Sequence, residues 1–292
     1  MLSHEILENI KKLELRTRRL VDSFMVGEYF SVFKGSGMEF YEVREYNEGD
    51  DVRSIDWYTT ARKGVPFVRT YIEERELPVI FLVDMSGSQD FGSGQRGKQD
   101  LSLEIVAFLG MIALKRNNPV GIIGFTDTVE IFHSIKKGRK NLLRILAALL
   151  SVRCKSRKTD ISKGIDAMSM IAKKKGLVFL ISDFIADGFE LKLRALAKKH
   201  DVVPIVITDP IEADLPMRGF VELKDNEMGE TMVIDAGSEG LRDWFHINAF
   251  KQRQERNRIF MDAGLDYIEL RTDVPFARPI KDFFYRRQRA RG

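Results

Sequence analysis

A chain of 292 residues, 44% hydrophobic and 31% charged, is long enough to bury a sizeable core as one large domain with a smaller companion. Its net charge of only +4 arises from interspersed acids and bases, which argues against the basic stripe of a nucleic-acid-binding protein. The single cysteine, Cys154, excludes an internal disulfide framework, and no apolar run approaches the roughly 18 residues of a membrane span, so the expected location is the cytoplasm without membrane insertion.

The opening segment spaces Leu2, Ile6, Leu7, Ile10, Leu13, Leu20, Val21 and Phe24 at near-helical intervals, with Ser3 as N-cap and Glu5 in the first turn, and predicts an amphipathic helix. Charges interrupt its apolar residues, unlike the hydrophobic stretch of a signal peptide. From Phe30 to Glu76 the composition shifts to aromatic and β-branched residues punctuated by Gly35, Gly37, Gly49 and Gly64, as in short antiparallel strands joined by turns. Residues 1–77 are therefore expected to form a small N-terminal helix plus β-rich subdomain, and residues 78–292 the main domain.

After Pro78 the apolar runs VIFLVDM (79–85), VGIIGF (120–125), LVFLIS (177–182) and VVPIVI (202–207) suit strands buried on both faces of a parallel sheet. Helix-length segments alternate with them, at Leu101 to Lys115, Asn141 to Leu150, Ile161 to Lys174 and Glu190 to Lys199. This alternation predicts a doubly wound, mainly parallel α/β fold of Rossmann type with right-handed crossovers. Val129 to His133 is expected as a hairpin edge strand, and VELKDNEMGETMVID as a second hairpin turning at Gly229. A long helix from Leu241 to Asp262, a strand from Tyr267 to Leu270 and a last helix ending RRQRARG complete the expected order.

In open sheets of this kind ligands collect beyond the carboxyl ends of the strands. The first buried run ends there in DMSGS, which puts Asp84, Ser86 and Ser88 at alternate positions of an extended loop, with Gly87 allowing tight curvature. LVFLIS delivers Asp183 to the same edge, and RKTDIS places Thr159 just before a helix capped by Asp160 or Ser162. These are hard oxygen donors, suited to magnesium or manganese ahead of calcium, and not to zinc. Three neutral hydroxyls leave much of the ion's charge uncompensated, so a partner protein's carboxylate is the expected last ligand and the chemistry favours docking over turnover.

This ordered set resembles the metal-ion-dependent adhesion site of von Willebrand factor A domains. The resemblance implies that Ser86, Ser88 and Thr159 approach the ion and that Asp84 and Asp183 act directly or through water. Upstream, residues 40–76 carry Arg44, Tyr46, Gly49, Asp50, Asp51, Arg53, Ile55, Asp56, Trp57, Ala61, Arg62, Glu73 and Glu74 in a pattern that resembles the start of the bacterial family called domain of unknown function number fifty-eight. That resemblance continues through VELKDNEMGE to the closing FFYRRQ. Members are commonly associated with MoxR-type AAA+ ATPases, which implies a non-enzymatic adaptor that links clients to such an ATPase in protein maturation or in stress and envelope functions.

The enzymatic alternative is magnesium-dependent phosphoryl transfer by a haloacid dehalogenase-like site with Asp84 as nucleophile. That chemistry wants a second acid two residues on, where this chain has Ser86. FGSGQRGKQD lacks the GxxxxGK[ST] spacing of a phosphate loop and reads as a flexible loop beside the metal face. Asp50 and Asp51 are expected to pair with Arg44, Arg53 and Arg62, and Trp57 and Tyr58 to pack inside their subdomain. His4, His133, His200 and His246 form no ligand pattern. Cys154 reads as a plain thiol, although Arg153, Lys155 and Arg157 would lower its pKa if it were exposed. The terminal arginines read as solvated partners of a helix C-terminus.

Overall fold

The computed structural model describes residues 4–24, 39–72, 76–94, 96–172, 174–213, 219–224 and 231–291. In chain order the elements are α1 (His4–Phe24), β1 (Glu39–Glu45), α2 (Trp57–Lys63), β2 (Phe67–Ile72), β3 (Val79–Asp84), α3 (Lys98–Lys115), β4 (Val120–Phe125) and β5 (Val129–Lys136). They continue with α4 (Arg139–Ser151), α5 (Ile161–Ile171), β6 (Leu177–Ser182), α6 (Glu190–Lys199), β7 (Asp201–Thr208), α7 (Pro210–Ala213), β8 (Phe220–Lys224), β9 (Thr231–Asp235), α8 (Glu239–Asp262), β10 (Ile268–Arg271) and α9 (Ala277–Arg291). The expected N-cap Ser3 and the turn glycines Gly35, Gly37 and Gly229 lie outside the described residues.

Among the described residues the central sheet has six strands in the order β10-β7-β6-β3-β4-β5, all parallel except β5, which runs antiparallel to β4 at the edge. Every residue of β3, β4 and β6 is buried, because helices cover both faces of the sheet; that is why these strands are continuous apolar runs. One face packs Leu82, Leu180 and Phe125 under α5, α6 and α8. The other stacks Phe81 on Phe179 at 5.6 Å, with Phe284 of α9 edge-on to Phe179 at 6.4 Å. The chain crosses to β4 on one side of β3 and to β6 on the other, so the carboxyl ends of β3 and β6 flank the point where the strand order reverses.

The chain divides into two compact units, Phe33–Leu77 and the remainder, Met1–Val32 with Pro78–Gly292. Helix α1 therefore belongs with the large unit and not with a 1–77 subdomain. The physical reason lies in α3, where Leu101, Ile105, Val106, Phe108, Leu109 and Ile112 are all fully buried, so the helix is apolar around most of its circumference. The sheet covers one side, and α1 supplies Ile10, Thr17 and Val21 to the other, tied down by Arg16 to Glu104 at 3.1 Å and Arg139 to Glu14 at 2.6 Å.

The small unit pairs β1 with β2 as an antiparallel ribbon, as expected, but between them WYTTARK forms α2 instead of a strand. Asp56 caps that helix through Thr59 N and also accepts from Arg69 at 2.8 Å. Arg44 grips Asp50 through two hydrogen bonds of 2.7 and 2.8 Å, while Asp51 caps a short turn at Arg53 N, so both aspartates are structural. Trp57 and Tyr58, expected inside, are instead 69% and 78% exposed, because both sit on the solvent side of the first turn of α2.

Gly164 in α5 lies against the buried Phe125 ring, and a Cβ there would stand 2.5 Å from the ring's Cδ1. In an open helix Gly→Ala stabilises by about 1 kcal/mol. Here overpacking reverses the sign, and Gly164→Ala is expected to destabilise by about 1 to 3 kcal/mol in urea unfolding. A gain in stability would show that α5 does not press on β4 as described.

Candidate functional site

Strand β3 delivers Asp84 to the carboxyl edge of the sheet, where it is only 2% exposed. Its Oδ1 accepts from Ser86 N at 3.0 Å and its Oδ2 from Ser182 Oγ at 2.6 Å. Burial first, then the neighbouring charge of Asp183, pushes the Asp84 carboxyl up to about 7. Among the described residues no cation pairs with it, so a buried carboxylate stands ready for a positive charge from outside the chain.

The DMSGS loop is tighter than the extended segment read from sequence. Ser86 is extended, but Gly87–Gln89 forms a 3-10 turn that folds Ser88 back, bringing the two serine hydroxyls to 3.0 Å. Gly87 N bonds Arg157 O at 2.7 Å, which sews this turn to the loop carrying Thr159. That loop is anchored again where Asp160 N meets Thr126 O, and Asp160 then caps α5 through Lys163 N, leaving Thr159 half-buried at the helix entrance. Ser162, the other cap candidate, donates to Gly188 O instead. Gln89, on the same turn, is buried with neither amide atom hydrogen-bonded, a polar demand that the chain does not meet itself.

Asp183 follows β6 and is 2% exposed. The next residue, Phe184, takes a left-handed backbone at φ 59°, a conformation that costs a non-glycine residue about 1 to 3 kcal/mol and persists only when its surroundings impose it. Here the Phe184 ring is held edge-on against Phe260 at 4.9 Å, and Phe184 N bonds Ser182 Oγ at 3.0 Å. The twist returns Ile185 N to Asp183 Oδ1 at 3.2 Å.

The other oxygen of Asp183 is occupied by a group the sequence reading passed over. Lys98, in the first turn of α3, is wholly buried, with Nζ 3.1 Å from Asp183 Oδ2 and in an ion pair with Glu212 of α7. Ser182 and Glu212 were likewise not anticipated. Asp84, Asp183, Ser86 and Ser88 thus gather at one edge, with Thr159 on a loop bonded to theirs. No three His, Cys, Asp or Glu side chains among the described residues form a metal-holding group by themselves, so any cation here depends on the hydroxyls.

The donor set fits a small hard cation. Two ligands at adjacent corners of an octahedron lie about 2.9 Å apart when each is roughly 2.1 Å from the ion. The Ser86 and Ser88 hydroxyls, hydrogen-bonded to each other, stand at a comparable 3.0 Å. Asp183, Phe184, Ile185, Glu212 and Phe250 line a cavity of about 530 Å³. A larger one of about 900 Å³, between α8, β10 and α9, lies away from the paired carboxylates.

Two expectations about the surroundings change, and the reading of Cys154 as a plain thiol stands. The glycine-rich loop after Asp90 is pinned: Ser93 donates to Asp209, and Arg96 binds the carbonyls of Arg271, Thr272 and Val274. Arg287, read as solvated, pairs with Asp201 at 2.6 Å. Cys154 is half-buried, and burial together with the charges of Glu130, Asp84 and Asp90 pushes its thiol up to about 11, opposite to the effect its basic neighbours would have if it were exposed.

Fold and site together define an α/β protein with an oxygen-rich, carboxylate-bearing cleft at the switch point of a mainly parallel sheet. The chain belongs to the family described as protein of unknown function DUF58, which matches residues 42–255. It is 32% identical to the uncharacterized protein Rv1480 of Mycobacterium tuberculosis and, equally, to the uncharacterized protein Mb1516 of Mycobacterium bovis, over 96% of this chain and 89% of each relative. Among solved structures it is similar to the conserved hypothetical protein BatB from Bacteroides thetaiotaomicron, with TM-score 0.49, 18% identity and coverage of 72% of this chain and 98% of that one. An aerotolerance-related membrane protein from Bacteroides fragilis gives TM-score 0.47 and 14% identity, over 72% and 97% of the two chains. Within this chain, no described helix is long and apolar enough to cross a membrane.

The raised thiol gives a direct check of the loop around Cys154. Alkylation by iodoacetamide should be slow at pH 7.5 and climb about tenfold per pH unit to beyond pH 10, because only the thiolate reacts. A rate that levels off near pH 8 would mean that Cys154 is neither desolvated nor surrounded by negative charge.

Proposed function

We propose that this protein is a von Willebrand factor A-like, divalent-cation-dependent interaction module that works in the cytoplasm beside a MoxR-type AAA+ ATPase and links client proteins to it. Asp84, Ser86, Ser88, Thr159 and Asp183 hold magnesium or manganese, and an acidic side chain of the partner completes the coordination. The observation that carries the reading is the pair of serine hydroxyls 3.0 Å apart, a spacing that suits adjacent octahedral corners, next to a buried carboxylate that no cation pairs with among the described residues. The sequence resemblance supplies the ATPase; the neighbouring cavity of about 530 Å³ offers room for the residue that flanks the partner's acid.

Docking is favoured over phosphoryl transfer. Position 86 offers a serine hydroxyl, a poor proton donor near neutral pH, where that chemistry wants a second carboxylic acid. When bound, the ion supplies Lewis acidity toward an incoming carboxylate. The chain's own groups orient it: Ser182 fixes Asp84, and Ile185 N fixes Asp183.

Two measurements test this. Isothermal titration of the full chain with Mn²⁺ should give one ion per chain, and Asp84→Asn or Ser86→Ala should weaken it by at least about tenfold while far-ultraviolet circular dichroism stays unchanged. Capture of the MoxR-type ATPase from the native organism should require magnesium and disappear with EDTA or Asp84→Asn. Capture that ignores chelator and mutation rejects the mechanism, and metal-dependent phosphoester hydrolysis lost in Asp84→Asn would favour the enzymatic alternative.

A further inference from the structure

Asp84, Asp183, Glu212 and Lys98 cluster at the switch point. The charge of Asp183 acts on Asp84, and Lys98 interacts with both Asp183 and Glu212. The nearby Asp209 also keeps its negative charge, held by hydrogen bonds from Ser93, Thr272 and the backbone of Ile211. Lys98 has no exposed surface and its ammonium is paired with both Asp183 and Glu212, so it is a built-in part of the site. It springs from the first turn of α3 and spans from β6, through Asp183, to α7, through Glu212. With the carboxylates ionised, the ammonium offsets one unit of their negative charge.

Building on the cation reading above, we propose that Lys98 sets the valence of the site. Its ammonium withdraws one carboxylate charge from what an incoming ion must neutralise, while it holds Asp183 by Oδ2. Without it, the more negative group of buried oxygens would favour a trivalent ion, because Coulomb attraction grows with the product of the charges and is weakly screened where water is excluded. Lysine suits this role as a compact point charge on an apolar stem that the core around α3 can bury. Lys98 is thus a positioning and charge-setting residue, and it touches neither the ion nor the partner.

The test is a charge swap read by ion selectivity in the full chain, with Mn²⁺ and Tb³⁺ as probes. Lys98→Met should shift the ratio of dissociation constants toward Tb³⁺ by at least about tenfold. The double variant Lys98→Met with Glu212→Gln removes one charge of each sign and should return the ratio toward that of the unsubstituted protein. Should Lys98→Met fail to fold, Glu212→Gln alone is decisive: it removes one negative charge and should weaken Tb³⁺ more steeply than Mn²⁺. A selectivity ratio that stays constant across the variants, in a protein that binds Mn²⁺, overturns the role of Lys98 and leaves the cation site standing. If the unsubstituted chain binds neither ion, the cation reading itself fails. If only Lys98→Met binds Mn²⁺, the ammonium occupies the ion's place and both readings fall.

Discussion

Two aspartates buried side by side at the ends of adjacent parallel strands are the constraint around which this fold is arranged. Neither Asp84 nor Asp183 has appreciable contact with water, and burial together with the charge of Asp183 makes ionisation of Asp84 costlier. A sheet can hold such a pair only if the surrounding loops supply hydrogen bonds and charge. Here Ser182 and Ser86 N serve Asp84, while Ile185 N and Lys98 serve Asp183. The left-handed Phe184, locked under Phe260, is part of the same arrangement, since it bends the chain so that Asp183 faces its partners.

The scaffold explains why the two carboxylates can be held so near each other. β3 lies between β4 and β6, with every residue covered, so its end has little freedom to move. α3 starts beside this edge and runs back between the sheet and α1, and its first turn brings the Lys98 stem into the core beside Asp183. The pinned loop before it, held by Asp209 and Arg96, fixes where α3 begins. Stability and site geometry are thus the same problem in this region, and loss of α1 packing would be felt at Lys98.

Much of the scaffold was legible in the sequence, because strands buried on both faces must be apolar without interruption. VIFLVD, VGIIGF, LVFLIS and VVPIVI all became parallel central strands, and DMSGS and LISDF put their aspartates where such sheets bind ligands. What escaped was whatever depended on distant packing. Lys98 looks like one of 47 basic residues until α3 is seen to be covered all round; its place at the head of an otherwise apolar helix was the available signal. Glu212 was missed because α7 is only four residues long, although Asp209 followed by Pro210 is a helix-start pattern. The aromatic residues of WYTTARK suggested a strand, and the capping Asp56 was the contrary sign. The placing of α1 with the large unit followed from the second apolar face of α3, which periodicity in α1 alone does not reveal.

The central claim is that hydroxyls and carboxylates from separate loops meet around one hard ion. Anomalous diffraction from crystals soaked in Mn²⁺ tests it most directly. The account predicts a single strong peak about 2.2 Å from both Ser86 Oγ and Ser88 Oγ, on the side of Asp84 and beside the Lys98 to Asp183 pair. Crystals that show no peak at this edge, with the two serine hydroxyls still bonded to each other, would contradict it.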